Sequence, residues 1–235
     1  MDRNTPEAKR PEQGQGLVRS CFREAKRQQI ISGARRVFLK DGFEGASIDD
    51  IVRAARVSKG TVYAYFPSKQ SLFEALIAED KRKQAEVVFS LDLSDGDAAR
   101  VLRQMGKFLL ESLLQPESLA LLRIVIGAAS RFPELGKAFF DAGPGFGRAR
   151  LGAYFECLTA QGILEVAEPQ LAASQFIDLC RTGTHLRLLL GDEMSPAEEE
   201  INRNIESAVR VFLSAYGPPR KGRHTHTRLL SGEAE

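Results

Sequence analysis

Residues 47–69 read SIDDIVRAARVSKGTVYAYFPSK, and this stretch decides the fold. Ser47 is a good helix N-cap: its hydroxyl accepts from the backbone N–H three residues on, and Asp50 at that position answers with its carboxylate. Ile48, Ile51, Val52 and Ala55 recur at helical spacing and make one apolar face. Ser58 caps a second short helix over 59–66, with Val62 and Phe66 on its inner side. Pro67 stops that helix, because proline disfavours helical geometry in the residue before it and has no N–H to donate. Ser68 then caps a third helix, with Lys69 in its first turn. Two short helices joined by a tight turn are helix-turn-helix chemistry: the first braces against the core and the second enters a DNA major groove. Gly60 leaves the helix start without a side chain, so the backbone can approach DNA closely. Lys59 and Thr61 lie where side chains reach base edges. Tyr63, Tyr65 and Lys69 lie where hydroxyls and an ammonium meet phosphates. Ser47 starts the bracing helix, whose first N–H groups can face a phosphate. The plainer reading is a helical pair in an ordinary core; two closely spaced tyrosines on a helix that opens Ser-Lys-Gly-Thr weigh against it.

The run Ile51-Val52, then Ala55-Arg56-Val57-Ser58-Lys59-Gly60-Thr61-Val62-Tyr63-Ala64-Tyr65-Phe66, and finally Lys69 resembles the DNA-binding signature of TetR/AcrR-type transcriptional regulators. The likeness continues upstream through Ala34, Phe38, Gly42 and Ser47 and covers the first third of the chain. It implies an N-terminal DNA-binding head on a helical body that holds a small molecule and dimerises. One position departs from the pattern: the family usually has Gly where this chain has Arg56. A left-handed backbone there costs a non-glycine residue roughly 1–2 kcal/mol. Either the turn is reshaped or Arg56 is kept for a phosphate contact. The stretches Arg131-Phe132-Pro133-Glu134-Leu135 through Gly143-Pro144, and Thr184-His185-Leu186-Arg187, resemble the C-terminal domain of the AefR-like subgroup.

The totals agree with local DNA contact. The 235 residues are 43% hydrophobic, enough for one or two cored domains, and the net charge is only +2. That charge is uneven: residues 1–66 hold 13 basic against 8 acidic residues. A basic N-terminal part on a slightly acidic body fits a localised DNA footprint. Cys21, Cys157 and Cys180 have no metal spacing and read as reduced thiols of a cytoplasmic protein. The charged N-terminus is not a signal peptide, and no apolar run reaches membrane length. His224 and His226 read as part of a solvated tail rather than a metal site. No catalytic set and no cofactor or metal site can be assembled from the sequence. The glycines of 143–147 follow a helix, not a strand, and so do not make a dinucleotide fingerprint.

Periodicity gives an all-α chain of about nine helices with no strand. The divisions expected are a disordered arm over 1–20, a DNA-binding head over 21–84 with its motif at 47–66, a ligand-binding and dimerisation body over 85–216, and a flexible tail over 217–235. Gly143 to Gly147 is expected as a loop, and single helices are expected over 170–190 and 196–216. Stripes through Ala172, Phe176, Leu179, Cys180, Gly183, Leu186 and Leu190, and through Ile201, Ile205, Val209, Phe212 and Leu213, suit a four-helix dimer interface. One stripe must face its own body, and the sequence leaves open which residues face the partner. Phe108, Phe139, Phe140, Tyr154 and Phe155 suit the wall of a small-molecule cavity, with Arg123 and His185 as polar groups inside it. A well-filled ordinary core is the alternative.

The function expected is a DNA-binding transcriptional regulator: a homodimeric repressor that leaves a double-stranded operator when a small apolar or amphipathic effector enters the body. Two rivals stand beside it, an enzyme with an appended DNA-binding head and an architectural DNA binder without a ligand. The lack of a catalytic set weighs against the first; a solid body would favour the second.

Overall fold

The computed structural model describes residues 13–89, 97–192 and 194–218; the side chains of 13–19 and 82–89 are outside that description. The expected tail beyond residue 218, with His224 and His226, the first part of the expected arm and the expected break at 91–96 also lie outside the described residues. What is described is all-helical, and it divides into two compact units: Met1–Gln84 with Pro116–Pro144, and Ala85–Gln115 with Gly145–Glu235.

The first unit contains α1 (Gln13–Gly45), α2 (Ile48–Ala55), α3 (Lys59–Tyr65), the start of α4 (Lys69–Phe89), α6 (Pro116–Ala129) and α7 (Pro133–Phe140). Residues 13–20, assigned to the arm from sequence, are helical. The helical path of α1 breaks at Gly42, whose φ of 71° is easy only for glycine. Phe38, Phe43 and Phe73 form an aromatic centre, with Phe38 and Phe73 edge to face at 4.8 Å. Ile30, Ala34, Ile51, Val62, Leu72 and Ile77 complete it at 0% exposure, which is why the 59–66 helix can be so short and still hold its place. An ion-paired triad ties three helices together. Arg35 donates through Nη1 and Nη2 to Asp80 Oδ1, both at 3.0 Å, and through Nη1 to Glu117 Oε2 at 3.1 Å.

Sequence reasoning put Pro116–Pro144 in the body. Its Leu121, Val125, Ala128, Leu135 and Phe139 join the Phe38–Phe73 core of the first unit. Helical periodicity shows that α6 has apolar faces but not which neighbour covers them, because burial is non-directional. The chain then stays helical through the expected loop. Asp141–Gly145 makes one turn of π-helix, wide enough to accept Pro144, and runs into α8 (Phe146–Ala160).

The second unit holds α5 (Ala98–Leu114), α8, α9 (Pro169–Arg181), α10 (Thr184–Leu189) and α11 (Glu198–Tyr216). Its core is built on Phe212, stacked on Phe155 at 4.7 Å and edge to face with Phe176 at 5.4 Å. Burial pushes the Cys180 thiol up to about 12, so it packs as a neutral apolar group. The single helix expected over 170–190 is two helices. Thr182 (φ 22°) and Gly183 (φ 75°) break it, and Thr184 starts the second piece. Thr184 is held by donating to Glu200 Oε1 at 2.9 Å and accepting from Asn204 Nδ2 at 3.0 Å.

Candidate nucleic-acid interface

The α2–turn–α3 segment is fixed by its own caps. Ser47 Oγ accepts from the Asp50 N–H at 3.1 Å, and Ser58 Oγ from the Thr61 N–H at 3.0 Å. Phe66, before Pro67, is extended at φ −137° and ends α3. Ser68 and Ser71 cap each other across the start of α4. Arg56 does sit in the left-handed region, at φ 54° and ψ 49°, as the C-cap of α2. Its side chain is exposed.

The sequence reading overlooked how α1 holds this pair. An added Cβ on Gly33 would lie 2.5 Å from Ala55 Cβ and 2.7 Å from its backbone, so α1 and α2 touch where only glycine fits. Gln29 Nε2 donates to Ala55 O at 2.8 Å, and Arg36 donates to Ala54 O. These satisfy carbonyls that a helix C-terminus leaves open. The Arg27 guanidinium lies 5.8 Å over the Phe66 ring. A glycine inside a helical run, opposite an alanine-rich α2, was the available signal.

On α3, Lys59, Gly60 and Tyr63 are exposed, and Val62 points inward. Thr61 is half-buried, with its hydroxyl 2.7 Å from that of Ser58. Tyr65, read as outward from sequence, is half-buried and packs against the first core beside Phe66. Two further site residues have partners within the fold. The first turn of α2 carries Asp49 and Asp50, and Ser47 is engaged with Asp50, accepting from its N–H and donating to its carboxylate. The Ser47 hydroxyl and then the Arg53 guanidinium hold the Asp50 carboxyl below its usual range. Lys69, read as a phosphate contact, donates to Ala46 O at 2.9 Å and Glu44 O at 3.2 Å and lies 4.8 Å over the Phe43 ring. Burial lowers its pKa, against the Glu44 charge. It fastens the start of α4 to the end of α1. The cause is a fold contact across more than twenty residues, invisible in the local pattern.

The seven residues proposed for a ligand divide between the units. In the first, Phe139 closes the core beneath the buried Lys81, whose ammonium is 4.6 Å from its ring; Arg123 and Phe140 are exposed. In the second, Tyr154 and Phe155 lie inside the core, His185 is buried on α10, and Phe108 is half-buried. An open groove of about 490 Å³ runs between α9 and α11, lined by Leu179, Val211, Phe212, Ala215 and Tyr216 among others, and includes none of the seven. Among the described residues there is no group of three or more His, Cys, Asp or Glu placed to hold a metal. No described helix is long and apolar enough to cross a membrane.

Two family models match the chain. One, bacterial regulatory proteins of the tetR family, covers residues 30–76. The other, the AefR-like transcriptional repressor C-terminal domain, covers residues 100–218. The HTH-type transcriptional repressor AcnR of Corynebacterium glutamicum is 39% identical over 79 residues, a match spanning 34% of this chain and only 39% of that protein. Among solved structures, the Flavonoid-responsive Regulator FrrA is 34% identical with a TM-score of 0.74, over 84% of this chain and 100% of that one. A TetR-family transcriptional regulator from Mesorhizobium loti MAFF303099 is 28% identical with a TM-score of 0.75, over 83% of this chain and 98% of that one.

Proposed function

The chain belongs to the TetR family of DNA-binding transcriptional regulators, and from that premise we infer that it works as a homodimeric repressor in the cytoplasm, released from its operator by a small aromatic or amphipathic effector. The observation that carries this reading is the exposed leading end of α3. Ser58 caps it, Val62 anchors it in the core, and Lys59, Gly60 and Tyr63 face outward. Arg56 beside it adds an exposed cation. We assign Thr61 to base edges, Lys59 to base edges and the nearby phosphates, Gly60 to close backbone approach, and Arg56 and Tyr63 to phosphates. Ser47, Tyr65 and Lys69 hold the motif in shape.

The dimer reading rests on the outward side of the last helices. Ala172, Phe176, Cys180, Ile205, Val209 and Phe212 are spent on their own core. The groove between α9 and α11 lies outside it, as do Leu186 at 57% and Leu190 at 78% exposure. A second copy covering this face places two heads on two half-sites, and an effector acts by favouring head spacings that the operator cannot match. FrrA is named for its response to flavonoids, and its likeness covers most of this chain. We therefore place the effector among planar phenolic compounds.

The test is selection of genomic fragments on the purified protein, followed by footprinting. A protected two-fold-symmetric sequence, a sedimenting species of twice the 25.9 kDa chain, and release by flavonoids but not by fatty acids are the expected results. A monomeric species, or retention of all fragments alike, would reject the reading.

A further inference from the structure

Asp49 stands on the same exposed surface as the α3 cation. It lies in the first turn of α2, with its side chain 70% exposed. Lys59 Nζ reaches back from α3 to both of its oxygens, at 2.9 Å to Oδ1 and 3.2 Å to Oδ2. The contact sets a carboxylate against the ammonium on the exposed face of the motif. Asp49 is also what raises the Lys59 pKa, with Tyr63 adding to it, so the lysine stays protonated in the pair. Neither α2's fold nor α3's uses the contact: Ser47 and Ser58 cap the two helices, and Ile51, Ala55 and Val62 bury them.

We propose that Asp49 is a positioning residue that holds Lys59 off DNA in the free protein and so acts as a built-in brake on DNA affinity. The inference rests on the reading that the leading end of α3 meets DNA. Its physics is a competition for one ammonium. A free lysine that neutralises a phosphate releases a counterion, and the gain grows as salt falls. A lysine already paired with a carboxylate must break that pair first, and a phosphate replaces the carboxylate with little net gain. Contact with a good base acceptor must also overcome the pair. The pair therefore lowers affinity for every duplex. It leaves the protein easier to release from its operator and less prone to be held by bulk DNA.

The slope follows from the salt law. One additional phosphate contact in each half-site steepens the slope of log affinity against log salt by about 0.9, and an exposed ion pair of this kind weakens binding by at most about fivefold per half-site.

The experiment titrates full-length wild type, Asp49→Asn, Lys59→Ala and the double variant against a selected operator duplex and a scrambled duplex. It runs at several salt concentrations, with thermal unfolding as the check on folding. Asp49→Asn is expected to melt with wild type and to bind both duplexes more tightly, by up to about fivefold per half-site, with a steeper slope. In the Lys59→Ala background the same change is expected to do nothing. Unchanged affinity in Asp49→Asn overturns the proposal. So does tighter binding that persists without Lys59, which would make Asp49 a direct repeller of phosphate. So does weakened binding to the operator alone, which would make Asp49 a reader of a base. If Thr61→Ala and Arg56→Ala both bind operator like wild type, the placement of α3 on DNA has failed; loss of affinity in those variants with no gain in Asp49→Asn rejects the brake alone.

Discussion

Replacing Arg56 by glycine separates what its backbone costs from what its side chain does. Arg56 ends α2 in the left-handed region at φ 54° and ψ 49°, and its N–H still reaches the carbonyls of Arg53 and Val52. The position is therefore a real helix C-cap, the place where glycine is usual because it has no Cβ to strain. Left-handed geometry costs a non-glycine residue about 1–2 kcal/mol. Glycine gives back roughly 0.5–1 kcal/mol of that through the larger freedom of its unfolded chain. The net gain for Arg56→Gly is about 0–1.5 kcal/mol, or a rise in Tm of up to roughly 6 °C for a chain of this size. Arg56→Ala is the control, since it removes the guanidinium and keeps the strain. Thermal unfolding followed by circular dichroism should place Arg56→Gly above both Arg56→Ala and wild type. DNA titration should treat the two variants alike, each with a salt slope flatter by about 0.9 per half-site if the guanidinium meets a phosphate. A Tm for Arg56→Gly at or below that of Arg56→Ala would refute the strain argument. An unchanged salt slope in both would take Arg56 out of the interface.

Two further outcomes follow from the first unit. Gly33→Ala puts a Cβ within 2.7 Å of the Ala55 backbone, which cannot swing aside as a side chain would, so α1 and α2 must part; the expected loss is about 1–3 kcal/mol, read as a lower urea midpoint together with weaker DNA binding, and a variant as stable as wild type would show the helices are not locked there. Lys81 is 6% exposed, 3.9 Å from Asp80 Oδ2, and burial lowers its pKa from 10.5. Between its folded and unfolded pKa the unfolded chain holds more protons, so the stability contributed by this group rises as pH climbs toward 10.5. Lys81→Met should therefore be neutral or stabilising at pH 7, and its Tm advantage over wild type should shrink on going to pH 10; an advantage that grows with pH would contradict the sign.

The motif was legible because its causes are local. Ser47 and Ser58 act three residues ahead, Pro67 acts on Phe66, and Ile51, Ala55 and Val62 mark buried faces by spacing alone. Even the left-handed turn at Arg56 could be anticipated, because the resemblance has glycine there. The ligand site was not legible in the same way. Phe139 and Phe155 have the same chemistry in the sequence, yet one closes the first core and the other sits at the centre of the second. Composition supplies aromatic surface; it does not say which neighbour covers it.

By itself, then, the sequence determined the helices, their caps, the helix-turn-helix and the class of protein, since each depends on interactions spanning a few residues. The tertiary structure alone decided where long-range partners lie. It spent the Lys69 ammonium on the Glu44 and Ala46 carbonyls, set Asp49 against Lys59, and joined Pro116–Pro144 to the Phe38–Phe73 core. It broke the penultimate helix at Thr182 and Gly183 and turned Leu186 and Leu190 outward. The reason is physical: a cap or a proline acts through the bonds next to it. A charge or an apolar face is satisfied by whatever the fold brings near, and sequence spacing carries no record of that distance.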